Sequence, residues 1–279
     1  MRCVSFEVAG RRSWGRVDRE WIVDLGGAPG APQDLRAAIA GGLVTWAGGE
    51  GGPRLSRSSV RLLPVIPNPS KVLCVGHNYE THRQETGRPK VDNPAIFIRF
   101  ADTLIGAGDP IVLPRVSTSL DFEAEIAVIV GRGGRYIPEA EAMSHVAGFA
   151  CFNDASVRDW QLHTSQFAPG KNFPGTGPLG PELVTPDEIA DLSAVRVQSV
   201  LNGEVMQDAT VADMIFSIPR IIAYVSSFTP LSPGDVIATG TPGGVGAKRT
   251  PPVWMKPGDE IEVRISGVGV LTSRIEAEA

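Results

Sequence analysis

The chain has 279 residues, 42% of them hydrophobic and 20% charged, which suits a soluble globular protein with a sizeable core. A formal net charge of -5 and the lack of any basic run argue against a nucleic-acid partner, and no segment is apolar for long enough to span a membrane. The 32 glycines and 23 prolines fit many turns and short strands better than a helical bundle.

In chain order, RCVSFEV and EWIVDL read as strands, and QDLRAAIAGGLVTWAG as one short helix followed by a loop. Three prolines between Pro64 and Pro69 place a boundary there, giving a small α+β unit over 1–66 and a larger one over 67–279. The second unit opens with the strand KVLCVG, a short polar helix YETHRQETG closed by Gly87, the strand PAIFIRF, and a turn and strand in GDPIVLP. LDFEAEIAVIVG and HVAGFACFND read as apolar strands, and SVRDWQLHTS as a helical turn. The Asn202-Gly203 pair in AVRVQSVLNGEVMQDA predicts a hairpin. VADMIFSIPRIIAYVSSF is the one long amphipathic helix, bent near Pro219, and GDEIEVRISGVGVLTSRIEA is a second hairpin. Many strands in irregular order with few helices predict a β-rich α+β fold. Cys3, Cys74 and Cys151 are far apart and in no CxxC spacing. They read as buried reduced thiols of a cytoplasmic protein, and the first residues carry no apolar signal core.

Glu123 and Glu125 break the apolar run Leu120–Gly131. Side chains alternate across a strand, so both carboxylates share one face, about 7 Å apart. Buried anions at that spacing repel unless protonated or bridged by a cation. A solvated edge strand would also tolerate them. A second acid-bearing strand end, GFACFND with Asp154, favours the cation. Carboxylate oxygens suit Mg²⁺, Mn²⁺ or Ca²⁺ rather than zinc, and His77, His82, His145 and His163 form no HxxxH pair.

Several motifs in order, GHNYETHRQE, LDFEAEIAVIVG, FNDASVRDWQ, GKNF, GPLGP, LNGEVMQDATVADMIFSIPRII and GDVIATGTPGGVG, resemble the fumarylacetoacetate hydrolase family from about Lys71 to Ile275. The resemblance implies a β-sandwich roll preceded by a small N-terminal domain. It implies one Mg²⁺ or Mn²⁺ on Glu123, Glu125 and Asp154, and commonly a homodimer. The family's water-activating dyad falls on His82 and Glu85, spaced i, i+3 on one helix face. That segment is short and polar, and is expected to order on ligand binding. Lys171 matches a lysine that faces substrate, and its charge would stabilise an oxyanion. Gln161 is a candidate donor to a substrate carboxylate, with Arg158 and Asp159 beside it as a structural ion pair.

The glycine-rich loop Thr239–Gly246 lacks the GK[ST] ending of a P-loop. Its amides and the Thr241 hydroxyl are candidates to bind a substrate carboxylate. Two positions depart from the family pattern: Pro174 stands where many members have an acid, and Arg99 where many have a lysine, which keeps a charge able to contact substrate. The implied reaction is hydrolysis of a C–C bond in a 1,3-diketo acid of the acylpyruvate or fumarylpyruvate type, releasing pyruvate through a metal-stabilised enolate. Oxaloacetate decarboxylation and 2-hydroxydienoate isomerisation use the same site. A non-catalytic binding module with a structural cation is the alternative of another class.

Overall fold

A computed structural model describes residues 1–48 and 52–279. The N-terminal part folds as β1 (Arg2–Val8), β2 (Arg11–Asp18), β3 (Trp21–Asp24), α1 (Leu35–Ala40), α2 (Leu43–Ala47), β4 (Arg54–Ser56) and β5 (Arg61–Leu62). The expected short helix is α1, and the stretch expected as a loop after it holds a second helix, α2. Asp34 caps the first by accepting from Ala37 N–H, and Gly41 and Gly42 stop it, the latter with φ +96°.

Next come β6 (Val72–Gly76), α3 (Glu80–Glu85), β7 (Ala95–Arg99), β8 (Leu104–Ile105), β9 (Ile111–Leu113), β10 (Leu120–Asp121), β11 (Ala124–Val130), β12 (Val146–Asn153) and β13 (Ser156–Val157). The chain continues through α4 (Arg158–Gln161), α5 (Ala168–Lys171), β14 (Gly177–Val184), β15 (Arg196–Leu201), β16 (Glu204–Thr210), α6 (Ile218–Phe228), β17 (Val236–Ala238), β18 (Glu260–Ile265) and β19 (Gly269–Ala277). Asn202 and Gly203, both at positive φ, make the turn of the first predicted hairpin, and β18–β19 form the second. The predicted long helix is shorter: Ser217 caps α6 and Pro219 lies in its first turn, where a missing N–H costs nothing. Pro219 begins this helix rather than bending it.

The main sheet runs β4-β3-β2-β1-β14-β12-β11-β17-β6-β7, with β5 and β8 attached. A second sheet runs β16-β15-β18-β19-β9. The two carry a strand-rich α+β fold. β1 pairs with β14 through Arg2↔Val184, so the N-terminal strands extend the same sheet. Cys3, Trp14 and Leu35 also share a core with Cys74, Ala127 and Ile129.

The central strand β11 is buried on both faces. Ala124, Ile126, Val128 and Val130 enter the core that contains α6 and the second sheet, whereas Ala127 and Ile129 enter the core shared with the N-terminal part. Alternation thus sorts the side chains between two cores rather than between core and water. All three cysteines are free and buried, and burial pushes their thiols up. Among the described residues, no helix is long and apolar enough to cross a membrane.

Candidate active site

The predicted strand across Leu120–Gly131 is interrupted at Phe122 and Glu123, between β10 and β11. The interruption sets Glu123 opposite Asp154, just past the ladder that pairs Ala124 with Asn153. Asp154 N–H donates to the Glu123 carbonyl at 3.0 Å, and Glu123 N–H donates to Asn153 Oδ1 at 3.0 Å. Glu125 follows on the strand. One carboxylate oxygen from each of Glu123, Glu125 and Asp154 lies within 4.8 Å of the others, and all three residues are buried.

Three cations surround these acids. Lys171, only 1% exposed at the end of α5, places Nζ 2.8 Å from Glu123 Oε2 and 2.6 Å from Asp154 Oδ2. Arg158 donates through Nε to Asp121 Oδ2 at 2.8 Å, and its Nη2 stands 2.6 Å from Glu123 Oε1. Arg99 donates to Asp154 Oδ1 at 2.7 Å and Thr176 Oγ1 at 2.7 Å. Burial disfavours the charge on Lys171, but Asp154 and Glu123 outweigh it and raise its pKa. Burial likewise works against ionised Glu123, yet Lys171 and Arg158 hold its carboxyl well below the usual range.

Glu125 is the exception. Burial pushes its pKa up, Asp154 and Glu123 add to that, and Lys171 and the Gly240 N–H oppose it only in part. A buried carboxylate driven toward the neutral form by two neighbouring carboxylates is the group that a divalent cation would relieve. The all-oxygen donor set fits Mg²⁺, Mn²⁺ or Ca²⁺.

A cavity of about 290 Å³ opens above the triad. His82, Glu123, Glu125, Gln161, Lys171 and Thr241 all line it, so the fold brings these sequence-predicted residues together. The His82 Nδ1 lies 2.6 Å from Glu85 Oε1, which leaves Nε2 as the ring nitrogen without that partner. Segment 80–85 is helical and docked: Thr81 and Glu85 accept the N–H groups of Gly243 and Gly244. Gln161 Oε1 accepts from Arg158 Nη1 at 2.9 Å, so its amide nitrogen remains as the donor.

Three expectations need correction. Arg99 does not line the cavity; it is 2% exposed and lies behind Asp154, which it supports, rather than facing a substrate. Arg158 is not paired with Asp159, which accepts from Ser117 instead. The glycine-rich loop turns its amides to the chain's own acids: Gly240 to Glu125, Gly244 to Glu85, and Gly246 to Asp121. Thr241 donates to the Ala124 carbonyl and accepts from Gln207.

Sequence reasoning missed Asp121 as the anchor of Arg158, and His77 in the cavity wall. The His77 ring stacks on His82, with centroids 5.1 Å apart and planes 11° from parallel. Burial first, then His82, lowers the His77 pKa from 6.5 to about 4. A histidine five residues before the HxxE histidine and eight before its acid was the available signal.

Residues 71–276 match the family described as fumarylacetoacetate (FAA) hydrolase C-terminal. The chain is 44% identical over 225 residues to a mitochondrial oxaloacetate tautomerase from Bos taurus, covering 80% of this chain and 72% of that protein. Among solved structures, a fumarylacetoacetate hydrolase from Exiguobacterium antarcticum superposes with a TM-score of 0.87 at 34% identity over the whole of both chains. A maleylpyruvate hydrolase from Sphingobium, in complex with manganese(II) and pyruvate, gives 0.81 at 28% identity, again over both whole chains.

Proposed function

The chain belongs to the fumarylacetoacetate hydrolase family, whose members are enzymes, and from that premise we propose that it catalyses the enol–keto tautomerisation of oxaloacetate or a close 2-keto diacid. The observation that carries this reading is the 44% identity to an oxaloacetate tautomerase over four-fifths of the chain. It favours the isomerase and decarboxylase side of the expected chemistry over C–C hydrolysis, and membership of a catalytic family counts against a purely binding role.

Glu123, Glu125 and Asp154 would hold the divalent ion. When bound, such an ion supplies Lewis acidity to the keto and carboxylate oxygens, making the neighbouring carbon more acidic. The rest is the work of side chains. The free amide nitrogen of Gln161 donates to the substrate carboxylate. The Lys171 ammonium, fixed by Glu123 and Asp154, offers positive charge to the developing oxyanion. Glu85 accepts the Nδ1 proton of His82 and orients the ring, so Nε2 takes the proton from the enol hydroxyl and then delivers it to C3, which restores the neutral imidazole. The proton count of substrate and product is equal, and nothing is oxidised. Phe97, Phe167 and Val245 keep bulk water from the transferring proton.

A second reading is hydrolysis of an acylpyruvate, in which His82 takes a proton from water and the water oxygen attacks the distal carbonyl. The likeness to the maleylpyruvate hydrolase over both whole chains supports it. One experiment separates the two. Enol-oxaloacetate is added to the protein with Mg²⁺ or Mn²⁺, loss of the enol absorbance is followed, and pyruvate is assayed; an acylpyruvate is run in parallel. Enol loss above the uncatalysed rate without pyruvate supports tautomerisation. Pyruvate from oxaloacetate means decarboxylation, and acylpyruvate cleavage alone means hydrolysis.

A further inference from the structure

Ala124 stands between Glu123 and Glu125, at the end of β11 that the clustered carboxylates occupy. On one side it faces Asn153 of β12 in the ladder. On the other side β17 pairs only with Ala127–Ile129, so among the described residues no strand reaches Ala124 there. A buried peptide group must find partners elsewhere. Its N–H donates to Gln207 Oε1 at 3.0 Å, and its carbonyl accepts from Thr241 Oγ1 at 2.9 Å.

Gln207 comes from β16, the outer strand of the second sheet, and is only 1% exposed. Its Nε2 donates to Thr241 Oγ1 at 2.7 Å and to the Pro242 carbonyl at 2.8 Å. Reversing the amide would set its NH2 against the Ala124 N–H and its oxygen against the Pro242 carbonyl, so its orientation is fixed. The amide and the Thr241 hydroxyl close a ring on the backbone of one residue. That backbone sets the mutual direction of the two glutamates beside it. The same loop reaches Glu125 directly, through the Gly240 N–H at 2.8 Å from Oε2. One glutamine therefore holds both the peptide between the two acids and the loop that grips the second of them. In a buried polar network of this kind, removing one member leaves the others unpaired.

We propose that Gln207 is a positioning residue of the carboxylate site: its side-chain amide, acting through Ala124 and Thr241, fixes Glu123 and Glu125 at the separation a divalent ion requires. The inference rests on the reading of Glu123, Glu125 and Asp154 as cation ligands. It gives the β15–β16 hairpin a task in a site to which it contributes no ligand.

The test titrates the full chain with Mn²⁺ by calorimetry and measures Tm on metal-free samples. Gln207→Leu removes the amide at similar volume, and Thr241→Val breaks the ring from its other side at nearly constant shape. Gly203→Ala is the control. Gly203 has φ +85° with open space around it, so a methyl group strains the turn of the same hairpin and leaves the ring intact. Gln207→Leu and Thr241→Val should each raise the Mn²⁺ Kd by roughly 10- to 100-fold, the usual effect of losing a group that orients a ligand. The double variant should lose little more than the worse single one, because both break one ring. Gly203→Ala should lower Tm and keep Kd within about twofold. If Gln207→Leu does not fold, Thr241→Val carries the test. An unchanged Kd in either ring variant that folds, or an equal rise in Gly203→Ala, would overturn the proposal. Glu125→Gln is titrated beside them. If it binds Mn²⁺ as well as wild type does, the cation reading fails and the positioning role with it. If it loses the ion while the ring variants keep theirs, only the assignment of Gln207 falls.

Discussion

Glu85 accepts the Gly244 N–H at 2.8 Å with one oxygen and holds His82 Nδ1 with the other. The proposed general base is thus fixed to a loop that also grips Glu125 through Gly240 and Asp121 through Gly246. Gly244 has φ +101°, and a Cβ there would stand 2.4 Å from the Met206 carbonyl oxygen. Gly244→Ala should shift the loop, lower stability by about 1–3 kcal/mol and slow turnover, without altering any cavity side chain. Thermal unfolding and kcat would be measured together; an unchanged kcat would separate the loop from the base.

Removing the proposed base should act on the chemical step. His82→Ala is expected to lower kcat by roughly 10²- to 10⁴-fold. Mn²⁺ affinity should stay the same, since His82 is not among the clustered carboxylates. Glu85→Gln should cost less, because the ring stays in place and only its orientation and basicity suffer. Single-turnover rates beside a metal titration check both.

Glu125 gives a test of the metal that needs no substrate. Its carboxyl is pushed up by burial and by Asp154 and Glu123. Glu125→Gln should therefore stabilise the metal-free protein at pH 7 relative to wild type, while abolishing the rise in Tm that Mn²⁺ confers. A variant whose Tm still rises with Mn²⁺ to the wild-type extent would exclude Glu125 as a ligand.

His77 predicts a pH dependence of stability. It titrates at about 4 in the folded protein against 6.5 for an ordinary imidazole. Between those values the unfolded chain binds more protons, so stability is fully present above pH 6.5 and is lost as pH falls toward 4. His82, Glu123, Arg88 and Lys171 are the charged or titratable neighbours that act on the ring. In His77→Phe the stacked face remains and the titration is gone. The variant should lose less stability than wild type between pH 6.5 and 4, read as the difference between two urea-denaturation series.

Arg99 holds Asp154 Oδ1, the Ala155 carbonyl and Thr176 at once. A lysine keeps the charge but not the planar fork. Arg99→Lys should weaken metal binding by roughly 10- to 100-fold, the usual effect of losing a group that orients a ligand. Unchanged Mn²⁺ affinity would show that Asp154 is held well enough by Lys171.

The sequence alone carried what local backbone geometry dictates. Period-two alternation put Glu123 and Glu125 on one side of an apolar strand, an i, i+3 spacing paired His82 with Glu85, and Asn202-Gly203 marked a hairpin. Each follows from sterics within a few residues. Local signals also misled where a neighbour decided the outcome. Pro219 looked like a helix bend, but the Ser217 cap made it part of the first turn, and a second helix formed after Gly41 and Gly42 where a loop was expected.

Tertiary structure decided which charges meet. Arg99 and Asp154 are 55 residues apart, and Gly240 and Glu125 are 115 apart. Nothing near Lys171 in the chain announces its burial, since a lysine in a Gly/Pro loop is ordinarily solvated. Burying an ion is costly unless partners arrive to offset it, and those partners come from other strands and loops. The acids of the site are therefore legible in the sequence, whereas the cations and amides that keep them charged become visible only when the sheet order brings those segments together.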